Sequence, residues 1–203
     1  MNLIIQKFIE ENIDHIESEN FDVVYDKAMN INNKINVGEL TDVFYAAGID
    51  PLASLTEIPP LFFDESKITA LVVPENVKKI RKAGLAFSKI EHLELHNECE
   101  LSDSCCHNAE LKAIKIPYIM NEVPDECFYN CQELSDVDLN AIEQIGAEAF
   151  AYCTSLKTIF IPDNVNYIAK TAFEGCDIIL HFHNNNEYAI EYCQRNNMKY
   201  KFV

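Results

Sequence analysis

The chain has no tryptophan, only 5 glycines in 203 residues, and 16 Lys+Arg against 33 Asp+Glu. Each scarcity excludes something. No Gly-rich phosphate-binding loop is present, and so few glycines could hardly supply one. The shortage of basic residues leaves a net charge of −17, which argues against direct nucleic-acid binding and against docking on anionic membrane. No apolar run approaches the roughly 18–20 residues of a membrane span. The opening MNLIIQKFIEENIDHIESEN interrupts its apolar residues with Lys7, Glu10, Glu11 and Asp14, so no signal peptide is expected there. Eight cysteines are too few for a disulfide scaffold, and no C-x-x-C pair occurs. The expectation is a cytoplasmic protein with reduced thiols. There is also no nucleophile elbow, no paired-His zinc-protease motif and no evident acid–base pair, so a non-enzymatic role without a cofactor is expected.

What is present is a core's worth of apolar residues, 48% of the chain, arranged in repeats. Lys115 to Leu139 reads KIPYIMNEVPDECFYNCQELSDVDL, and Phe160 to Phe182 reads FIPDNVNYIAKTAFEGCDIILHF. Between them, Ala141 to Pro162 reads AIEQIGAEAFAYCTSLKTIFIP. The shared template is I-P-x-x-V-x-x-I-x-x-x-A-F-x-x-C-x-x-L-x-x-I-x-I-P. Its slot at Pro117 returns at Asn140, Pro162 and His183, in steps of 23, 22 and 21 residues. Pro74 lies 43 residues before Pro117, or two repeats, and a truncated half-repeat starts near Leu55. Each unit carries one short strand of alternating apolar residues: Leu93/Leu95, Ile114/Ile116, Val137/Leu139, Ile159/Ile161 and Leu180/Phe182. One strand cannot bury that face alone. Stacked units build a parallel sheet over one continuous core. Ala149-Phe150 and Ala172-Phe173, with Cys127-Phe128 as a variant, are expected to pack from the opposite wall. In the degenerate segment Leu85–Leu111 that slot falls at Ser104-Cys105 or at Cys106-His107.

This template resembles the BspA-type (Treponema-type) leucine-rich repeats over roughly residues 55–203. The resemblance implies an α/β leucine-rich repeat solenoid of five to six repeats across 51–203, with a C-terminal helix–strand cap from 184. The tail LHFHNNNEYAIEYCQRNNMKYKFV fits such an ending, with a helix over Glu187 to Asn196 and a last strand over Lys199 to Val203.

Residues 1–50 carry no repeat and predict a small all-helical N-terminal domain. Leu3, Ile4, Phe8, Ile9, Ile13 and Ile16 recur at helical spacing. Phe21, Val24, Tyr25 and Ala28 suggest a second helix. Leu40, Val43, Phe44 and Ala47 suggest a third, stopped by Gly48 and Pro51. Apolar residues on more than one face, such as Ile4/Ile5 and Phe44/Tyr45, suggest a homodimer through this unit. A helical lead running into a few such repeats is similar to the plan of phage- or prophage-encoded repeat proteins.

Two clusters invite chemistry. His92, His96, Cys99, Cys105, Cys106 and His107 are six soft or borderline ligands within 16 residues. They would suit a metal site or a thiol enzyme. The plainer reading puts His92 and His96 on the outer strand face and the cysteines in small buried slots, with no metal bound. Cys131, Cys153 and Cys176, each three residues after the repeat phenylalanine, read as small apolar residues in a tight turn. His181 and His183 flank Phe182 and are expected to point outward together.

Function is therefore expected on a surface. The template register predicts an outward ladder of Val72, Glu94, Lys115, Asp138, Phe160 and His181. Beside it runs a second ladder of Ala70, His92, Ala113, Asp136, Thr158 and Ile179. Phe160 with Thr158 and Ile179 reads as an apolar anchor, and Asp136 with Asp138 as paired negative charge. The expected role is protein–protein interaction with a partner that presents a basic surface. The phage-like plan implies an inhibitor of a host bacterial defence protein. The alternative implied by exported relatives is a surface or adhesive repeat protein.

Overall fold

A computed structural model describes residues 3–31 and 35–203. Met1, Asn2 and residues 32–34, which belong to the helical unit expected over 1–50, lie outside the described residues. Four helices come first: α1 (Leu3–Glu11), α2 (Ile13–Glu17), α3 (Phe21–Met29) and α4 (Val37–Ala46). The single helical pattern of residues 3–16 breaks at Asn12. Its side-chain amide donates to the Phe8 carbonyl (2.8 Å) and its oxygen accepts from Lys27 Nζ (3.0 Å). Such side-chain bonds compete with the helical ladder. Asn36 caps α4 by accepting from the Glu39 N–H at 2.7 Å. Gly48 follows α4 with φ +75°, the left-handed stop its sequence position predicts.

The rest is a solenoid of about seven turns built from short parallel strands. One side carries β2 (Ala70–Val72), β4 (His92–Glu94), β6 (Ala113–Lys115), β8 (Asp136–Asp138), β10 (Thr158–Phe160), β12 (Ile179–Phe182) and β13 (Lys199–Phe202). A narrower side carries β1 (Glu57–Ile58), β3 (Lys79–Ile80), β5 (Glu100–Leu101), β7 (Glu122–Val123), β9 (Gln144–Ile145) and β11 (Tyr167–Ile168). Every pairing is parallel, one repeat to the next. Each three-residue wide-side strand turns its middle residue inward: Leu71, Ile114, Val137 and Ile159 are buried and Leu93 is half-buried, while the longer β12 buries both Leu180 and Phe182.

The third side is the turn that holds the Ala-Phe pair. Phe128, Phe150 and Phe173 stack with centroids 5.4 and 5.7 Å apart. Backbone bonds identify the equivalent residues in earlier repeats. Phe150 N–H donates to the Ala172 carbonyl, Phe128 to Ala149, Cys106 to Cys127, Leu85 to Cys105 and Phe63 to Gly84. The column therefore runs Phe63, Leu85, Cys106, Phe128, Phe150, Phe173. The degenerate repeat places Cys105-Cys106 in the slot, one residue off either assignment read from the template. Two positions flank the slot with left-handed backbone in repeat after repeat. Ser104, Glu126 and Glu148 precede it, and Phe87, Asn108, Asn130, Tyr152 and Gly175 follow it, all with φ between 55° and 74°. These inversions aim successive N–H groups along the solenoid axis. Thus Glu126 N–H reaches Ala147 O (2.8 Å), Phe128 reaches Ala149 O (2.9 Å) and Asn130 reaches Ala151 O (2.7 Å). Buried turns stay hydrogen-bonded in this way.

Both ends of the core are covered. At the start, Tyr25 stacks on Phe62 with centroids 4.4 Å apart, and its hydroxyl bonds Thr41 Oγ1 at 2.8 Å. Thr41 in turn donates to the Phe62 carbonyl at 2.9 Å. At the other end α5 (Glu187–Asn196) and β13 form the expected helix–strand cap. The Ile168 N–H, which has no further narrow strand to meet, donates to the Tyr188 hydroxyl at 2.7 Å. Terminal repeats need such closure because nothing stacks on them.

Candidate functional site

The wide sheet sets its outward residues in register. Ala70 pairs His92 and Val72 pairs Glu94; Ala113 pairs Asp136 and Lys115 pairs Asp138. Thr158 pairs Ile179 and Phe160 pairs His181, and β13 extends both rows with Lys199 and Lys201. The candidates Val72 and Glu94, then Lys115, Asp136 and Asp138, then Thr158, Phe160, Ile179 and His181 thus lie on three successive strand groups of the wide side, β2–β4, β6–β8 and β10–β12–β13. The two lysines are a rung that template counting missed, because β13 follows the cap helix and carries no repeat motif. Seven strands spaced about 4.8 Å apart give a face about 29 Å long. That is the scale of a protein interface rather than a small-molecule pocket.

Two apolar side chains stand out on the face. Val72 is 67% exposed and Phe160 41% exposed. Phe160 meets the His183 ring edge-on at 5.4 Å, and His183 Nδ1 lies 2.8 Å from Asp163. His181 does not join His183 outside. It is half-buried, and its Nε2 is enclosed without a hydrogen-bond partner. The cap strand beside β12 covers what the isolated repeat would expose.

Charge on the solenoid is organised by repeat. Lys78–Glu98, Lys79–Glu100, Arg81–Glu57, Lys89–Glu110, Lys112–Glu91, Lys115–Asp138 and Lys199–Asp177 each join neighbouring turns. Exposed pairs of this kind add little stability. They do occupy 7 of the 16 Lys+Arg residues, so the field beyond the surface is dominated by the carboxylate surplus.

Three of the thiols tie neighbouring turns together. Cys131 Sγ donates to the Cys106 carbonyl at 3.0 Å, Cys153 to Phe128 at 3.1 Å and Cys176 to Phe150 at 3.1 Å. Each ties its turn to the phenylalanine slot one repeat back. Burial pushes the Cys153 thiol up to about 12 and raises Cys131 well above the ordinary range. The Cys99–His107 group does not converge. His92 is exposed on the sheet, and His96 Nε2 bonds the Val77 carbonyl at 2.7 Å. His107 stacks on Tyr129, with centroids 4.7 Å apart. Burial pushes Cys99 up to about 12. Cys105 Sγ lies 3.6 Å from Cys106 Sγ and 3.5 Å from Cys127 Sγ, inside the core. Among the described residues no three or more His, Cys, Asp or Glu side chains are arranged to hold a metal ion. Likewise no helix among them is long and apolar enough to cross a membrane.

Comparison with known proteins agrees with this geometry. The family described as BspA type leucine rich repeat region matches six copies over residues 3–108 and 56–179. A solved structure of the pneumococcal vaccine antigen PcpA is similar, with a TM-score of 0.58 and 21% identity over 66% of this chain and 37% of that one. A leucine-rich repeat protein from Bacteroides ovatus gives a TM-score of 0.53 and 22% identity over 74% of this chain and 46% of that one. The chain spans less than half the length of either structure. Identities this low speak to the fold alone. No curated protein matches the sequence.

Proposed function

Since the chain belongs to the BspA-type leucine-rich repeat family, a fold that works through extended surfaces, we propose that its wide sheet face binds a protein partner. The observation that supports this is the pairing within β2–β4, β6–β8 and β10–β12, which sets Val72 beside Glu94, Ala113 and Lys115 beside Asp136 and Asp138, and Thr158 and Phe160 beside Ile179 and His181 along the wide side. Phe160 and Val72 serve as anchors, and Asp136 with Asp138 meets a basic patch on the partner. Lys201 of β13 adds a positive end, Lys199 being paired with Asp177, so the complementary surface is basic opposite β8 and tolerant of acid opposite Lys201.

In its sharper form the protein acts in the bacterial cytoplasm as a phage-encoded inhibitor that occupies a host defence protein. The −17 charge supports this by steering encounter with a basic target. Immobilised protein should retain one partner from bacterial lysate, and Phe160→Ala with Val72→Asp should release it. Equal retention by the variant would remove the sheet face from the reading. Self-association through the helical segment has support in Leu3 and Ile13, 78% and 43% exposed. The monomer mass by light scattering across a hundredfold dilution would reject it.

A second reading is a surface repeat protein, favoured by the description of PcpA as a vaccine antigen. Protease shaving of intact cells separates the two. Loss of the protein from shaved cells supports surface display, and protection supports the cytoplasmic role.

A further inference from the structure

A second surface lies on the turn side of the solenoid, away from the sheet strands. Phe87, His107, Tyr129 and Tyr152 come from four consecutive repeats and form one line of rings. Centroids are 5.6 Å apart for Phe87–His107, 4.7 Å for His107–Tyr129 and 5.4 Å for Tyr129–Tyr152. Phe87 is 50% exposed and Tyr152 38% exposed. The line is rigid. Phe87 N–H donates to the His107 carbonyl (2.9 Å), Asn108 to Tyr129 (2.9 Å) and Tyr152 to Glu174 (2.7 Å). The Tyr152 ring lies directly on the Gly175 backbone, where an added Cβ would sit 2.5 Å from Cδ1.

The backbone shows that these rings are not the turn's own preference. Phe87 and Tyr152 occupy the left-handed position after the slot, with φ 55° and 60°. Equivalent turns fill it with Glu65, Asn108, Asn130 and Gly175, so only Phe87 and Tyr152 place a ring there. A bulky aromatic there carries a conformational cost, and such costs gather at functional positions.

Carboxylates line the ridge and no basic side chain pairs with them. Glu126 Oε2 lies 4.0 Å from His107 Nδ1, and Glu174 accepts from the Tyr152 hydroxyl at 3.2 Å. Glu174, foremost through that bond, and Glu148 both act to raise the Tyr152 phenol. Glu126, Glu148 and Glu174 have no Lys or Arg ion-pair partner among the described residues. Burial lowers the His107 imidazole, against the opposing pull of Glu126, so the ring stacks as a neutral aromatic near pH 7. The ridge therefore offers aromatic faces and, at Glu126 and Glu148, unpaired negative charge; beyond it Glu174 shares a concavity with Lys170 and Arg195. We infer that it is a docking strip for an extended, arginine-rich peptide segment of a partner protein. Guanidinium planes stack on Phe87 and Tyr152, the exposed rings at the two ends of the line, and pair with Glu126 and Glu148. This site is independent of the sheet face, and the loss of either leaves the other standing.

The test is fluorescence anisotropy with a fluorescein-labelled octa-arginine peptide at about 0.15 M salt. Phe87→Asn/Tyr152→Asn should weaken binding about tenfold, the scale of two cation–π contacts. Glu126→Gln/Glu148→Gln keeps the rings and should weaken it comparably. Glu17→Gln/Asp22→Asn removes the same charge from the exposed helical segment and should stay within about twofold. If this control loses as much as the ridge variants, binding is diffuse electrostatics and the strip is refuted. Wild-type affinity in Phe87→Asn/Tyr152→Asn refutes it too, as does a preference for a neutral oligosaccharide such as cellohexaose. Since asparagine suits the left-handed position, Phe87→Asn should melt no lower than wild type. A ring change that lowers binding but not the melting point is the signature expected of a docking residue.

Discussion

Replacing Gly38 by alanine tests how the helices meet the repeats. Gly38 lies in the first turn of α4, where alanine would normally help by about 1 kcal/mol. Here an added Cβ would sit 2.0 Å from the Asp64 carbonyl oxygen and 2.8 Å from its carbon. Those are backbone atoms, so no side chain can swing away. Relief requires α4 to retreat from the first turn of the solenoid. That retreat pulls Thr41 from the Phe62 carbonyl and loosens Tyr25 on the Phe62 ring. Overpacking of a dense contact costs about 1–3 kcal/mol, and one stretched buried hydrogen bond adds about 1 kcal/mol. The net expectation is a loss of about 1–3 kcal/mol after the helical gain. For a chain of this size that lowers the melting point by about 2–4 °C per kcal/mol. Urea unfolding followed by far-UV circular dichroism measures it, with Glu39→Ala on the exposed side of the same turn as reference. A Gly38→Ala protein as stable as wild type would show that α4 does not close onto Asp64 and would refute the cap.

Further outcomes follow from the same contacts. Phe150→Ala empties the middle of the Phe128–Phe150–Phe173 stack and should cost about 3–5 kcal/mol in urea unfolding; a loss under 1 kcal/mol would mean the stack is not the core. Thr41→Val strands the Tyr25 hydroxyl and the Phe62 carbonyl and should cost about 1–3 kcal/mol, whereas Thr41→Ser should restore most of it. Stability should fall as pH rises from about 9 towards 12. In that window the unfolded chain loses thiol protons that buried Cys99 and Cys153, both pushed up to about 12, still hold, so the unfolded state binds fewer protons and the slope is negative. Each such thiol contributes up to about 1.4 kcal/mol per pH unit, and Cys153→Ala should flatten the slope if its own stability cost is subtracted. In native protein a thiol reagent should reach half-buried Cys176 before the seven buried cysteines; simultaneous labelling of all eight would contradict their burial.

The repeat spacing makes the ladder legible in the sequence. Strands separated by 21–23 residues with one inward residue each can pair in only one register, because a slip by one turns every apolar side chain outward. The cap was legible for a similar reason: Glu187 to Asn196 is amphipathic and a short strand follows it. Where the template was eroded, counting was not enough. Around Cys105-Cys106 the slot was assigned only by backbone bonds to Cys127 and from Leu85, since two adjacent cysteines give no size contrast to mark which faces inward.

The sequence alone determined the solenoid, its period, its two unlike ends and the sign of its field, because these depend on residues recurring at fixed intervals. The tertiary structure decided what lies between repeats. It joined β13 to the sheet, adding Lys199 and Lys201. It enclosed His181 while leaving His183 on Asp163, and lined Phe87, His107, Tyr129 and Tyr152 into one ridge. Those rings fall at two different offsets from the phenylalanine slot, so no periodic reading connects them. Only the left-handed turns and the stacking of one repeat on the next bring them together.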